Sequence, residues 1–171
     1  MPPCCRITKM MSPIRRLCHW GPLASVAITA SITVATVSTK LNILVCLIFQ
    51  LSMCLALYNM WCASLLGPGY LASSENDETP SLGRFCKACG RIIMKKHHHC
   101  PWINNCVGQN NERYFIRFLQ FGLIVSIESS VILIYDSYQR YLLHTFLLFN
   151  IFNIGLSIGV LIALSVLLYT H

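Results

Sequence analysis

The sequence predicts an all-α membrane protein: four transmembrane helices, with a Cys/His-rich loop between the second helix and the third. Of the 171 residues, 55% are hydrophobic and only 11% are charged, whereas soluble domains carry about 25% charged residues. Four apolar runs are long enough to cross a bilayer, which takes about 20 residues. One polar segment, residues 85–115, follows the second run and contains four of the ten cysteines and three of the six histidines.

The first two apolar runs, residues 21–38 and 41–66, are separated by a short polar turn, which predicts a transmembrane helical hairpin. Arg15 and Arg16 precede the first run, so this run is either a signal peptide or an uncleaved anchor. Its length and the lack of a clear cleavage site favour the anchor. A Gly-Pro-Gly cluster at 67–69 ends the second run, as clusters of these residues do.

The third and fourth runs are residues 115–135 and 145–169, and residues 136–144 are predicted to form a polar turn between them. Asn110 and Asn111 are candidate N-caps for the third helix. The predicted regions are a cytosolic tail (1–20), a transmembrane hairpin (21–66), a cytosolic linker with the Cys/His-rich domain (67–114) and two further transmembrane helices (115–171).

Basic residues predict the orientation in the membrane. The tail carries four Lys and Arg residues and the central loop six, whereas the opposite side has only Lys40 and Arg140. Because basic residues concentrate in cytoplasmic segments, the tail and the loop are expected to face the cytosol. The net charge is +7, but no basic stretch is interleaved with aromatic residues that could stack on bases. We therefore expect the basic residues to interact with membrane lipids and not with nucleic acid.

An acidic residue and two asparagines fall inside the last two apolar runs. Glu128 is costly in a membrane, so it is either functional or packed against a polar partner. Asn150 and Asn153 lie about one turn apart in the fourth run. They are predicted to form hydrogen bonds to another helix.

Cys86 and Cys89 form a CxxC pair that can bind a tetrahedral metal ion. In a loop that faces the cytosol, such a pair near histidines indicates zinc and not disulfides. Zinc would also order a loop that has little apolar mass of its own. Structural zinc takes four ligands, so two more are needed. The candidates for these two positions are His97, His98, His99, Cys100 and Cys106.

Five candidates for two ligand positions leave some groups available for chemistry. A cysteine beside histidines that are not all bound to metal resembles a nucleophile with its base. The histidine can take the thiol proton and remain as an imidazolium, which lowers the pKa of the thiol. The residues alone leave open which cysteine and which histidine would act in this way.

The segment HHHCPWINNCVGQNNERYF resembles the signature of the DHHC protein S-acyltransferases, in which Asp-His-His-Cys-Pro-Trp is followed by Asn-Cys-Val-Gly and then by Asn and an aromatic residue. The Gly-Pro-Gly cluster and the four-helix layout are similar to that family as well. RLCHWGPL, before the first span, resembles a branch that resides in the endoplasmic reticulum. The residues in register are Pro101, Trp102, Asn105, Cys106, Gly108, Asn111 and Phe115.

The resemblance implies an enzyme that moves a long acyl chain, usually palmitoyl, from acyl-coenzyme A to cysteines of cytosolic proteins. It places the nucleophile, which is acylated first, at Cys100 and the base at His98. It also implies residence in the endoplasmic reticulum or the Golgi. The zinc ligands that it implies are Cys86, Cys89, His99 and Cys106.

The chain departs from the family pattern in three ways. One of the family's two zinc sites is missing, and Phe85 and Ile92 stand where two of its ligands are expected. His97 replaces an aspartate that would orient His98 and stabilise its imidazolium; His97 could alternatively be an extra metal ligand. The family's motif after the fourth span is absent, which is the pattern of a truncated or divergent member.

Three functional hypotheses follow from these patterns. The leading one is a membrane protein S-acyltransferase with impaired activity. The second is an inactive, zinc-stabilised membrane scaffold. A metal transporter is disfavoured because its spans would need more polar ligands than Glu128. Five basic residues in and after the loop are suited to bind phosphates of coenzyme A or of anionic lipid. The preference of basic residues for the cytosolic side of a membrane explains them equally well. They are Arg91, Lys95, Lys96, Arg113 and Arg117.

Overall fold

The computed structural model describes residues 18–39, 42–70, 83–95, 98–140 and 147–170. Within these ranges the chain forms four α-helices and four short β-strands. The helices are α1 (Trp20–Val37), α2 (Ile43–Leu65), α3 (Glu112–Arg140) and α4 (Leu147–Thr170), and the strands are β1 (Gly83–Cys86), β2 (Arg91–Met94), β3 (His98–Cys100) and β4 (Asn105–Val107).

All four helices are long and apolar enough to cross a membrane, which confirms the predicted architecture. Their outward faces are apolar too: Ile43, Leu47 and Leu51 of α2 are each more than half exposed. Such a surface is stable against lipid tails and unstable in water. The chain is therefore a multi-pass membrane protein.

The predicted turn at 136–144 is wrong in its first part, because α3 continues to Arg140. Asp136 is buried inside the helix and accepts a hydrogen bond from Asn150 Nδ2 at 2.9 Å. This partner on α4 satisfies the carboxylate, so an acidic residue does not end the helix here. The residues between Arg140 and Leu147 lie outside the described part of the chain.

Other interhelical hydrogen bonds fall in the same half of the bundle, away from the Cys/His-rich loop. Asn153 Oδ1 accepts a bond from Ser31 Oγ of α1 at 2.8 Å. Ser52 of α2 donates to Glu128 Oε1 of α3 at 3.2 Å. These contacts confirm that Asn150 and Asn153 bond to other helices, and they give Glu128 the polar partner that the packing interpretation requires.

The Cys/His-rich loop contains two antiparallel β-hairpins that the sequence does not predict. β1 pairs with β2, and β3 pairs with β4. In the first hairpin, Gly90 adopts a left-handed φ of 66° in the turn, and the Cys89 N–H donates to the Cys86 sulfur at 3.4 Å. Strands of three or four residues are too short to show the alternating pattern by which strands are recognised.

Asn105 of β4 attaches the second hairpin to the membrane bundle. A helix leaves its last carbonyls without helical partners, and the buried Asn105 amide supplies donors to those of α2. A buried carbonyl that loses its donor is costly, so this contact fixes the loop firmly on the end of α2. The carbonyls that accept from Asn105 Nδ2 are Ala63 (3.0 Å), Ser64 (3.2 Å) and Leu66 (2.8 Å).

Asn111 directly precedes α3, as a predicted N-cap should, but its side chain has another use. Its amide donates to the carbonyls of Ala63 at 3.0 Å and Cys106 at 2.9 Å. Its Oδ1 accepts a bond from the Gly108 N–H at 2.9 Å. Asn111 therefore joins the end of α2, the end of β4 and the start of α3 into one unit.

Candidate functional site

Strand β3 divides its three residues between two sides of the loop. Successive side chains of a strand point to opposite faces, so His98 and Cys100 share one face and His99 points away. Cys100 packs into the apolar cluster that contains Phe115, and the His98 ring lies edge-on to the Phe115 ring with centroids 5.3 Å apart. On the other side, His99 faces three sulfur atoms. They belong to Cys86, Cys89 and Cys106.

These four residues have the geometry of a tetrahedral metal site. All four ligand atoms lie within 4.8 Å of one another. His99 Nδ1 lies 3.9 Å from the Cys86 sulfur, 3.4 Å from that of Cys89 and 3.5 Å from that of Cys106. A zinc ion with Zn–S bonds of about 2.3 Å sets its ligand atoms about 3.8 Å apart. The cluster could therefore hold one zinc ion.

Hydrogen bonding within the cluster favours a thiolate. The bond between Cys89 and Cys106 lowers the pKa of the Cys89 thiol to about 4 and raises the pKa of Cys106. Burial opposes ionisation of Cys89, and the neighbouring His99 favours it. Since the thiolate is the form that binds metal, Cys89 is prepared for coordination at neutral pH.

An apolar pair stands at two positions where the resemblance implies ligands of a further zinc site. Phe85 of β1 lies directly opposite Ile92 of β2, and both side chains are exposed. Among the described residues, Cys86, Cys89, His99 and Cys106 form the one group of His, Cys or acidic side chains that could hold a metal ion. The first hairpin is therefore stabilised by the pairing of β1 with β2 and, at its turn, by Cys86 and Cys89 of the ligand cluster.

Cys100 is buried at the start of a turn that covers residues 101–104. The backbone N–H groups of Trp102 and Ile103 donate to its sulfur, and the Asn104 N–H donates to the Pro101 carbonyl at 3.2 Å. Burial raises the pKa of the Cys100 thiol, and the two N–H groups lower it by less. The thiol therefore needs a base to ionise readily, although the turn is suited to stabilise a thiolate once it forms.

An apolar cavity of about 370 Å³ begins at Cys100 and extends into the bundle. All four helices contribute to its wall. Trp102 lines it beside the cysteine, and Val125 of α3 and Gly155 of α4 line it farther along those helices. Its lining is almost entirely apolar, as expected of a site for an extended hydrocarbon chain.

The beginning of α1 packs against the turn that follows Cys100. Gly21 lies so close to the Pro101 carbonyl that a Cβ atom at this position would overlap the oxygen. The Trp20 and Trp102 rings meet edge-on with centroids 5.6 Å apart. Only glycine permits this approach, so Gly21 allows α1 to form a wall beside Cys100.

The structure thus brings together six of the seven predicted site residues, and the seventh, His97, lies outside the described residues. Sequence reasoning missed the supporting residues Asn105, Asn111 and Gly21 as structural contacts. A signal for the first two was available, because buried asparagine side chains require hydrogen-bond partners. The residues brought together are Cys86, Cys89, His98, His99, Cys100 and Cys106, with Phe115.

Comparisons with known proteins give a consistent result. Residues 69–171 match the family model described as DHHC palmitoyltransferase. The chain is 43% identical over 56 residues to "Palmitoyltransferase ZDHHC3-A" of Danio rerio, an alignment that covers 33% of this chain and 18% of that protein. It is 41% identical over 96 residues to "Probable protein S-acyltransferase 15" of Arabidopsis thaliana, which covers 50% of this chain and 38% of that protein.

A human relative, "Palmitoyltransferase ZDHHC3" of Homo sapiens, is 42% identical over 52 residues, which covers 30% of this chain and 17% of that protein. The matched part of the chain thus spans less than two fifths of the length of each of these three relatives.

Proposed function

Because the chain belongs to the DHHC palmitoyltransferase family, we propose that it is a protein S-acyltransferase that works through an acylated Cys100. It would move a palmitoyl-type chain from acyl-coenzyme A to cysteines of cytosolic proteins. The observation that carries this proposal is the Cys100 thiol at one end of an apolar cavity inside a membrane bundle. In this proposal the tail (1–20) and the loop region (67–114) face the cytosol, where donor and acceptor are found.

The first step would transfer the acyl chain to the enzyme. His98 takes the Cys100 proton, and the thiolate attacks the thioester carbonyl of acyl-coenzyme A. A new S–C bond forms at Cys100, the bond from the carbonyl carbon to the coenzyme A sulfur breaks, and the imidazolium returns the proton to the leaving thiolate. The hydrocarbon chain lies in the cavity, so the reacting carbonyl is held near the sulfur.

The second step would transfer the chain to a protein substrate. A cysteine of the substrate gives its proton to His98 and attacks the acyl-Cys100 thioester. The substrate S–C bond forms, the bond to Cys100 breaks, and Cys100 recovers its proton from the imidazolium. Both steps exchange one thioester for another, so neither requires an outside source of energy.

His98 needs support to act as the base, and two residues are proposed to supply it. Phe115 packs edge-on against its ring, which restricts the orientation of the imidazole. His97 would form a hydrogen bond with His98, but, unlike an aspartate, it would add no negative charge. Loss of the corresponding carboxylate in a serine-protease triad costs about 10⁴ in kcat. A cysteine nucleophile ionises more easily, so a smaller penalty is expected here.

The metal cluster is proposed to be structural and to hold one zinc ion. Bound zinc would supply free energy for folding the loop, which is what four-coordinate Cys/His sites do. Its place behind β3 has a consequence for the chemistry. Fixing His99 on one face of the strand also fixes His98 and Cys100 on the other. The proposed ligands are Cys86, Cys89, His99 and Cys106.

An inactive, zinc-binding membrane scaffold is the second candidate function. The burial of Cys100, which raises the pKa of its thiol, favours this alternative when it is combined with His97 in the place of an acid. A scaffold would keep the zinc ion and the bundle but would not form a thioester.

An acylation assay separates the two functions. The full chain, purified into lipid nanodiscs with its zinc content measured, would receive an alkyne-tagged palmitoyl-coenzyme A and a cysteine-containing acceptor peptide. A thioester label on the chain and then on the peptide, removable by neutral hydroxylamine, is the expected result. Zinc-loaded protein that acquires no such label would rule out the transferase and leave the scaffold.

Chain length should depend on Gly159, which lines the cavity and has no atom within 4 Å of the place where a Cβ would lie. Gly159→Leu would fill part of the cavity. Because each buried methylene is worth about 0.8 kcal/mol, excluding two carbons would reduce labelling by palmitoyl relative to myristoyl donor by about tenfold. Competition between the two tagged donors measures this ratio.

The matched control for this change is Val166→Leu, at a position on the same helix that is 55% exposed on the outside of the bundle. It should leave the preference between the two donors unchanged. An equal shift in both variants would mean that the cavity does not hold the chain.

A further inference from the structure

A second cleft, of about 550 Å³, lies between the end of α2 and the start of α3. It shares no lining residue with the apolar cavity, and the proposed transfer does not use it. The segment that leaves α2 forms one side, and the segment that enters α3 forms the other. Its polar lining side chains are Tyr70, Gln109, Asn110 and Arg113.

The cleft carries positive charge and neutral donors. Arg113 is exposed in the first turn of α3, and its guanidinium offers several N–H groups. Arg91 lies over the Tyr70 ring, with 4.8 Å from its guanidinium carbon to the ring centroid, so a second cation lies behind the wall of the cleft. The amides of Gln109 and Asn110 add donors without charge. This combination suits an anion with several oxygen atoms, such as a phosphate.

The level of the cleft relative to the bilayer indicates which molecule supplies that phosphate. α2 ends at Leu65 and α3 begins at Glu112, so the cleft lies where two membrane-spanning helices reach the bilayer surface. Leu65 and Leu66, beside the cleft, are 45% and 43% exposed. Lipid headgroups occupy this level, and their acyl chains would run along such exposed leucines.

Arg117 gives a further reason to expect a lipid. It lies one helical turn beyond Arg113 and is exposed on α3. At that depth a guanidinium is costly unless its long side chain reaches the headgroup region. Arg113 and Arg117 are therefore both expected to place their charges in the layer of lipid phosphates, and the single carboxylate of Glu112 does not balance two positive charges.

We propose that this cleft is a binding site for the headgroup of an anionic phospholipid, in which Arg113 binds the phosphate while the lipid chains pack beside Leu65 and Leu66. Arg117, which lies outside the cleft lining, adds positive charge near the same headgroup layer. Coenzyme A also carries phosphates, so the shared chemistry is phosphate binding. The bilayer depth and the apolar flank assign the cleft to a membrane lipid. This site does not depend on the transferase proposal, because a scaffold would bind the lipid equally well.

Native mass spectrometry of the full chain in a neutral detergent tests the site. Titration with phosphatidylserine should give one tight adduct that phosphatidylcholine does not give at the same concentration. Arg113→Gln should weaken this binding by about tenfold, the usual effect of losing one charge-assisted hydrogen bond. Arg113→Lys keeps the charge and should retain most of the binding, which separates loss of the site from loss of the fold.

Lys87→Gln is the matched control, because Lys87 is equally basic and exposed but lies on the first hairpin. It should leave the affinity for phosphatidylserine unchanged. Three results would overturn the proposal: equal binding of phosphatidylcholine, equal weakening by Lys87→Gln, or displacement of the lipid by an equal concentration of coenzyme A. The last result would reassign the cleft to the acyl donor.

Discussion

Cys100→Ser is expected to eliminate the hydroxylamine-sensitive label while leaving one zinc ion bound. The serine hydroxyl would occupy nearly the same volume in the turn, so the packing against Phe115 should survive. A hydroxyl is far less acidic than a thiol, so His98 would not convert it into an effective nucleophile. Labelling by tagged palmitoyl-coenzyme A should fall to the background level, and metal analysis should give the wild-type zinc content.

Cys54→Ser provides the control for this experiment. Cys54 is an exposed thiol on α2 and is absent from both the metal cluster and the cavity lining. Its replacement should leave the label intact. A label that persists in Cys100→Ser and disappears with a different cysteine would place the acyl-enzyme at that other residue, and the assignment of Cys100 would be wrong.

Cys106→Ser should have the largest effect on stability. Cys106 is fully buried and belongs to the four-residue cluster. Structural zinc binds with about 10–16 kcal/mol, which is comparable with the whole stability of a domain, about 5–15 kcal/mol. Losing one ligand should therefore release the metal and unfold the Cys/His-rich loop. Zinc analysis and the rate at which a maleimide modifies Cys100 measure these two effects.

Maleimide should modify Cys100 slowly in the wild type, because the thiol is buried, and quickly in Cys106→Ser. A zinc chelator should produce the same change in the wild type. Cys46→Ser, which removes a partly buried thiol from α2, is the control and should keep both the zinc ion and the slow reaction. Retention of zinc and of slow modification in Cys106→Ser would contradict a structural metal site.

The number and place of the helices could be predicted because each apolar run extends over some 20 residues and its meaning is local. The spacing of the residues does not by itself identify all of the metal ligands. Spacing alone leaves five candidates for two positions, and only the family resemblance selects His99 and Cys106. The physical selector of His99 is the alternation of side chains along β3, and the pairing of β3 with β4 sets Cys106 directly opposite His99. Both strands are too short to leave a pattern in the sequence.

The contacts that support the site could not be predicted, because they join distant parts of the chain. Asn105 binds carbonyls about 40 residues earlier, and Gly21 touches the turn at Pro101. The continuation of α3 beyond residue 135 depends on Asn150 of another helix, which satisfies Asp136. In each case the local sequence is compatible with several structures, and a partner elsewhere decides between them.

The close approach of Gly21 to Pro101 also constrains the order in which the protein is built. α1 leaves the ribosome before the turn that it contacts has been synthesised. The metal cluster is complete once residue 106 has emerged, whereas the cavity wall still awaits Gly155 and Leu164 of α4. During synthesis the metal-binding half of the molecule can therefore mature early. The half that contains the apolar cavity is completed later, when α4 enters the bilayer.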